Sequence, residues 1–428
     1  MIFAPSFATR FIGVSSSVAK EQEHGFSSAF YHYHLAMAGE HRGGTLMDSS
    51  ANVAIVGVAE SDLGRTPDKT VLQLQLQAAR NALDDAGLQF SDVDALFCAG
   101  NWAWSPNLML AEYLGIRPTY TDTTNIGGSS FEAHIGHAVA GIEAGLFDIA
   151  LITYGSTQRS DRSRGRSNYT FKLTEQYELP FGLPTPVGAY ALAAMRHMFE
   201  YGTTSEQLAE VAVATRKWAA MNEKAMMRDL ITIEDVLNSR WVAEPLHLLD
   251  CCLVTDGGGA VVVASAERAR HTRKAPVWIL GHGEAHTHNS IANMPDLATH
   301  QAAIASGQAA FAMAGLTSAQ IDVAEIYDSF TITVILTLEA LGFCGRGEGG
   351  AFVSGQRTAP GGPFPMNTNG GGLSYCHPGM YGIFLLIEAT RQLRAECGPR
   401  QVEGVRTALA HGTGGVLSSA ATVILGKD

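Results

Sequence analysis

From Asn52 to Val58 polar and apolar residues alternate into a continuous apolar run, the pattern of a buried strand. Leu72, Leu76, Ala79, Leu83 and Ala86 then recur at helical spacing, and Gly87 stands where a helix-ending glycine belongs. The apolar stretches Ala95–Phe97, Asp148–Thr153 and Ala260–Ala264 read as further strands, and Ala408 with Thr422–Leu425 as the last. Between Tyr154 and Trp241 lies a long insertion, polar and arginine-rich at Arg159, Arg162, Arg164 and Arg166, then helical around Ala189–Tyr201 and Glu206–Met221. Its guanidinium groups could meet the phosphates of a nucleotide-bearing substrate, or could belong to a solvated loop.

The pattern repeats. Ala86-Gly87-Leu88, followed by Val93-Asp94 and an apolar run, returns as Ala314-Gly315-Leu316, followed by Ile321-Asp322 and Val323–Ile326, with no gap. Asn125-Ile126-Gly127-Gly128-Ser129-Ser130 and Asn369-Gly370-Gly371-Gly372-Leu373-Ser374 both read Asn-x-Gly-Gly-x-Ser, and each precedes a helical stretch carrying Ile-Glu-Ala. The period is far longer than the ~20–50 residues of a solenoid unit, so it marks a duplicated α/β domain. Each half reads as strand, helix, strand, glycine turn, helix and closing strand. We expect halves at 51–270 and 271–428, the first carrying an inserted loop domain at about 155–240.

Composition narrows the function. A chain of 428 residues exceeds one ordinary core, and its net charge of -12, with no basic run to offset it, excludes nucleic acid as a partner. The six cysteines form no C-x-x-C pair, which fits a reducing cytoplasm. No apolar run reaches the ~18–20 residues needed to span a bilayer. Residues 1–50 lack periodicity and read as a disordered extension, with Met47 a candidate start; His32 and His34 there are read as part of a solvated tail, not as metal ligands, and no metal site is expected.

Candidate chemistry concentrates in three segments: Glu325–Phe330, Tyr375–Gly379 and His411–Gly415. Glycine turns ahead of helices leave backbone N–H groups free to hold negative charge on a substrate oxygen, which makes Gly128 and Gly414 candidate substrate-binding positions. His377 and His411 stand on two such turns.

The run Asn369–Gly382, with His377-Pro378-Gly379 inside it, resembles the thiolase signature, and the resemblance spans roughly residues 52–428. It implies a duplicated thiolase-like fold, with two mixed-sheet halves and helices in layers (αβαβα), that homodimerises through the first-half sheet and takes coenzyme A as part of its substrate, with no bound cofactor. It also places His377 on the active-site histidine. Tyr327-Asp328-Ser329-Phe330 occupies the place of His-Asp-Cys-Phe in the branch similar to sterol carrier protein x. The nucleophilic cysteine is missing: its position falls on Gly128, or on Ser129 if the turn shifts by one, and His411 stands at the second cysteine.

What remains is Tyr327 and Tyr375, with Tyr381 as a reserve, together with His377 and His411, a set suited to proton transfer. It resembles thiolase-like aldolases that shorten steroid side chains at the CoA-ester stage together with a small zinc-ribbon and OB-fold partner subunit. By that resemblance Tyr327 and Tyr375 are the acid–base residues of a retro-aldol cleavage. Two other readings stay open: an acyltransferase using Cys376 or a serine, and a non-catalytic CoA-binding subunit.

Overall fold

The structure is a computed structural model that describes residues 51–100, 102–161, 172–183 and 186–427. The expected extension with His32 and His34, and Arg162, Arg164 and Arg166 of the phosphate reading, lie outside the described residues.

Strand β1 (Val53–Glu60) is buried along its whole length, as its Val and Ile content requires. Helix α1 (Val71–Ala86) is fixed at its start by a Thr70/Gln73 capping box and at its end by Gly87, whose φ of 74° is left-handed. The remaining strands are β2 (Ala95–Cys98), β3 (Tyr120–Asp122), β4 (Ile149–Ser156), the short hairpin β5 (Trp241–Ala243) and β6 (Leu246–His247), β7 (Gly257–Ser265), β8 (Val277–His286), β9 (Val323–Ile326), β10 (Thr407–Gly414) and β11 (Ser419–Gly426). All but the hairpin join one nine-stranded sheet in the order β3-β2-β4-β7-β1-β8-β11-β10-β9.

That order displays the duplication. β2 runs parallel to β4, and β4, β7 and β1 then pair antiparallel; β9 runs parallel to β10, and β10, β11 and β8 then pair antiparallel. The halves are mirrored about a seam of only two residue pairs, Ala54 with Trp278 and Ile55 with Val277. This seam joins the two mixed-sheet halves expected from the sequence. Strand β3 extends the first half alone, pairing parallel with β2 at the sheet edge.

Helix α2 (Ser130–Glu143) and helix α7 (Gly382–Leu393) follow the two Asn-x-Gly-Gly-x-Ser turns and are buried on almost every face, so they form the central layer. Between them in sequence come α3 (Val187–Tyr201) and α4 (Ser205–Ala220) in the insertion, then α5 (Gln301–Ala314), closed by Gly315 as α1 is by Gly87, and α6 (Thr331–Ala340). One core gathers Phe131 and Ile135 of α2, Ile383 and Phe384 of α7, and Tyr327, Tyr375, Cys376 and Tyr381.

The insertion docks on the second glycine turn. Arg216 Nε donates to Ser374 Oγ at 2.8 Å, Asn222 Nδ2 to the Asn369 carbonyl at 2.8 Å, and the amides of Met226 and Met227 to the carbonyls of Tyr375 and Ser374, both at 3.0 Å. No helix among the described residues is long and apolar enough to cross a membrane.

Candidate active site

Strand β9 delivers Tyr327 to the end of the sheet, where its amide donates to the His411 carbonyl at 3.0 Å. The turn Gly371–Tyr375 delivers His377, whose backbone is clamped to Thr255: His377 N donates to Thr255 Oγ1 and Thr255 N to the His377 carbonyl, both at 3.1 Å. These two supports bring Tyr327 Oη to 2.9 Å from His377 Nε2, with the rings nearly perpendicular. The Tyr381 amide donates to the same Oη at 3.1 Å.

The protonation states follow from burial. His377 is 8% exposed and its imidazole is pushed down to about 4, so it is neutral near pH 7. Tyr327 is 4% exposed and burial pushes its phenol well above the usual range, with the neighbouring Cys252 adding to the shift. The Tyr381 N–H fills one acceptor site of Oη, and with the imidazole proton on Nδ1 the phenol donates to Nε2. Tyr327 and His377 thus form a neutral hydrogen-bonded pair.

Gly128 explains the absent nucleophile. A Cβ on Gly128 would lie 2.2 Å from Cε2 and 2.6 Å from Cζ of Tyr327, and 2.5 Å from the Thr413 carbonyl. The tyrosine ring therefore fills the space that a side chain at this position would need. Ser129 is no substitute, since its hydroxyl is fully buried against Ser419 Oγ at 2.5 Å. Gly414 packs its backbone on the same turn, where a Cβ would meet the Ile126 carbonyl at 1.8 Å.

Other sequence candidates are placed elsewhere. Tyr375 Oη donates to Glu60 Oε1 at 2.9 Å, and Glu60 is held in turn by Arg391 through both guanidinium nitrogens and by Lys224 at 3.1 Å. His411 Nδ1 meets Thr422 Oγ1 at 2.9 Å, and the ring lies 6.2 Å from that of His300. Alternate residues of a strand face opposite sides, and the next residue, Gly412, is the one that faces the Gly127–Ser129 turn, with Ser129 Cα 2.8 Å from its would-be Cβ. Cys376 is fully buried in the core, and burial, with Glu60 and Asp328 nearby, pushes its thiol well above the usual range, which is the reverse of nucleophile activation. The structure thus joins the side chains of Tyr327 and His377 and commits those of Tyr375 and His411 to other partners.

Sequence reasoning missed four supports. Thr255 clamps His377. Tyr154 donates to the Pro378 carbonyl and accepts from the Met380 amide at 3.2 Å, fixing the His-Pro-Gly turn. Cys252 donates its amide to the Ser329 carbonyl at 3.0 Å, which ties the segment that carries Thr255 to the one that carries Tyr327. Asp328, fully buried, accepts from the amides of Gly372 at 2.6 Å and Leu373 at 3.2 Å, and Gly371, at φ 60°, leaves room for its carboxyl, which a Cβ would meet at 2.0 Å. Asp328 directly follows Tyr327, which was the one available signal.

Burial pushes the Asp328 carboxyl up to about 7, against the pull of those amides. The folded state therefore holds a proton that the unfolded chain releases near ~4, and the stability this confers is complete below ~4 and falls as pH rises toward 7. Between pH 5 and 8 the protein should lose about 2–3 kcal/mol relative to D328N, at ~1.4 kcal/mol per unit. Urea denaturation of both proteins at the two pH values measures this; equal losses would show that Asp328 is already ionised at pH 5.

Residues 283–427 match the family described as thiolase C-terminal domain-like. The chain is 32% identical over 383 residues to the acetyl-CoA acetyltransferase of Methanothermobacter thermautotrophicus, covering 88% of this chain and 100% of that protein. It is 36% identical over 387 residues to the 17-hydroxy-3-oxo-4-pregnene-20-carboxyl-CoA lyase of Mycobacterium tuberculosis, covering 86% of this chain and 98% of that protein. The solved Ltp2-ChsH2(DUF35) aldolase superposes with a TM-score of 0.81 at 34% identity, over 88% of this chain and 98% of that one.

Proposed function

Because this chain belongs to the thiolase superfamily, whose members act on CoA thioesters, we propose that it is a carbon–carbon lyase that cleaves a 3-hydroxyacyl-CoA by a retro-aldol reaction. The observation that carries the proposal is the Tyr327 ring standing in the space of a side chain at position 128. An acyltransferase of the thiolase kind, the activity named for the archaeal relative, needs a thiol there.

In the reaction the substrate β-hydroxyl gives its proton to Tyr327 Oη while Tyr327 passes its own to His377 Nε2. The Cα–Cβ bond breaks, its electron pair moves into the thioester as an enolate, and the β-carbon becomes a ketone or aldehyde carbonyl. Backbone N–H groups at Gly128 and at Gly414, the end of β10, are the donors we assign to the enolate oxygen. Return of the proton from the pair to Cα releases the shortened acyl-CoA, so the step needs no oxidant and no covalent enzyme intermediate. In this reading Tyr375, committed to Glu60, supports the fold of the turn.

The lyase relative supports a bulky, steroid-like acyl group, and the two-protein aldolase supports a DUF35-type partner subunit for this chain. We also take the halves to divide near residue 270 and the protein to pair with itself along the edge at β3. Incubation with a 3-hydroxyacyl-CoA bearing a tertiary β-carbon in a fused-ring substituent, followed by chromatography, should show a ketone and a shorter acyl-CoA in equal amounts. Release of free CoA with no ketone would overturn the proposal.

A further inference from the structure

Glu132 stands in the first turn of α2, four residues after Gly128, and is 1% exposed. Neither carboxyl oxygen has a hydrogen-bond partner. Its space is made by two glycines from other elements: a Cβ on Gly382, the first residue of α7, would lie 2.4 Å from Oε2, and one on Gly412 of β10 would lie 2.2 Å from it. The Gly382 position also abuts the Gly128 carbonyl, at 2.2 Å from the same built Cβ. The carboxyl is therefore wedged between the catalytic turn and the N-terminus of α7, one residue beyond the Tyr381 amide that holds Tyr327 Oη.

A buried carboxyl with no donor is tolerable only while it is uncharged. The neighbours placed against it, the Gly128 carbonyl and Ser129 from the turn, Gly382 from α7 and Gly412 from β10, do not titrate, and no charged side chain is among the causes that act on it. Burial alone pushes it up, to about 8, with its own backbone N–H pulling weakly the other way. Ionisation would place a negative charge beside the turn assigned to the enolate and at the positive end of α7, whose N-cap residue Tyr381 holds the Tyr327 phenol through its amide.

We propose that Glu132 is a positioning residue, held as a neutral acid beneath the catalytic turn, and that loss of its proton disables the Tyr327–His377 pair. The proposal rests on the lyase reading for the activity it controls. Below the titration of Glu132 the protein is on its activity plateau; above it, the charge opposes both the enolate and proton release by Tyr327.

The test compares the pH dependence of kcat for the full chain, with any partner that co-purifies, against Glu132→Gln, which keeps the shape and cannot ionise. The wild type should lose about tenfold or more between pH 7 and 9.5, a size set by one unit charge acting at short range in a low-dielectric site. The variant, scaled to its own maximum, should keep its activity over that range. Infrared difference spectra between the same pH values read the group without turnover: beyond the carboxyl signal of Asp328, which both proteins share, a protonated-carboxyl band should vanish from the wild type that has no counterpart in the variant. An alkaline limb that persists unchanged in Glu132→Gln, or no carboxyl band beyond the shared one titrating in that window, overturns the proposal. Absence of ketone production at every pH would instead count against the lyase reading, and the infrared titration would still decide whether Glu132 is the neutral acid.

Discussion

Replacing Tyr327 by phenylalanine is expected to lower kcat by about 10²–10⁴, the range that a positioned acid–base group contributes, with little change in KM. The substitution removes only Oη. The ring still fills the space against Gly128, and the Tyr381 amide and His377 Nε2 each lose a partner. The resulting loss of stability should stay near ~1–3 kcal/mol, since two buried polar groups are left unsatisfied while packing is kept. His377→Ala should cost a similar factor, and the double variant little more than either alone, because a relay fails when either member is gone. Steady-state kinetics alongside urea denaturation separate the catalytic loss from the structural one. Independent, additive losses would mean that the two groups act on different steps.

Restoring a cysteine at the family's nucleophile position is expected to fail on its own. In Gly128→Cys the new Cβ starts 2.2 Å from the Tyr327 ring and 2.5 Å from a backbone carbonyl, so either the ring or the turn must move. Overpacking of this kind costs ~1–3 kcal/mol, and the displaced phenol should take most of the lyase activity with it. The thiol would also lie in a buried setting that raises its pKa, as the burial of Cys376 and Cys252 already does for those thiols. Adding Tyr327→Ala removes the clash with the ring and leaves the turn only a small shift away from the Thr413 carbonyl, and only that pair of changes should give an enzyme that takes up an acyl group at position 128. Mass measurement of both variants after exposure to an acyl-CoA checks this. Acylation of the single variant at the rate of the double one would show that the ring does not block the site.

The coupling of Gly128 to Tyr327 was half legible in the sequence. The repeated Asn-x-Gly-Gly-x-Ser turns, the apolar strands and the His-Pro-Gly run point to the duplicated fold, because periodicity and turn chemistry are local properties that a linear pattern carries. The missing cysteine was visible as well. What filled its place was not, since residues 128 and 327 meet only through the mirrored sheet and the packing of the two turns.

The same limit accounts for the other candidates. His411 and Gly412 are neighbours in sequence, and strand alternation turns one to the layer of His300 and the other to the catalytic turn; which faces which depends on register, and a histidine beside glycines gives no sign of it. Tyr375 sits two residues from His377, but its hydroxyl reaches the end of β1, and its partner Glu60 lies 315 positions away. Glu132 sits in a helix start beside Ser130 and His134, where a carboxylate reads as a surface residue until the surrounding helices and strands bury it.

The central claim is that carbon–carbon cleavage here proceeds without a covalent acyl-enzyme. The most direct measurement is the intact mass of the wild-type protein, acid-quenched at short times during turnover of an acyl-CoA or 3-hydroxyacyl-CoA. The account predicts the unmodified mass of the 428-residue chain at every time point while ketone and shortened acyl-CoA accumulate. An acyl adduct that appears and decays at the rate of turnover would contradict it.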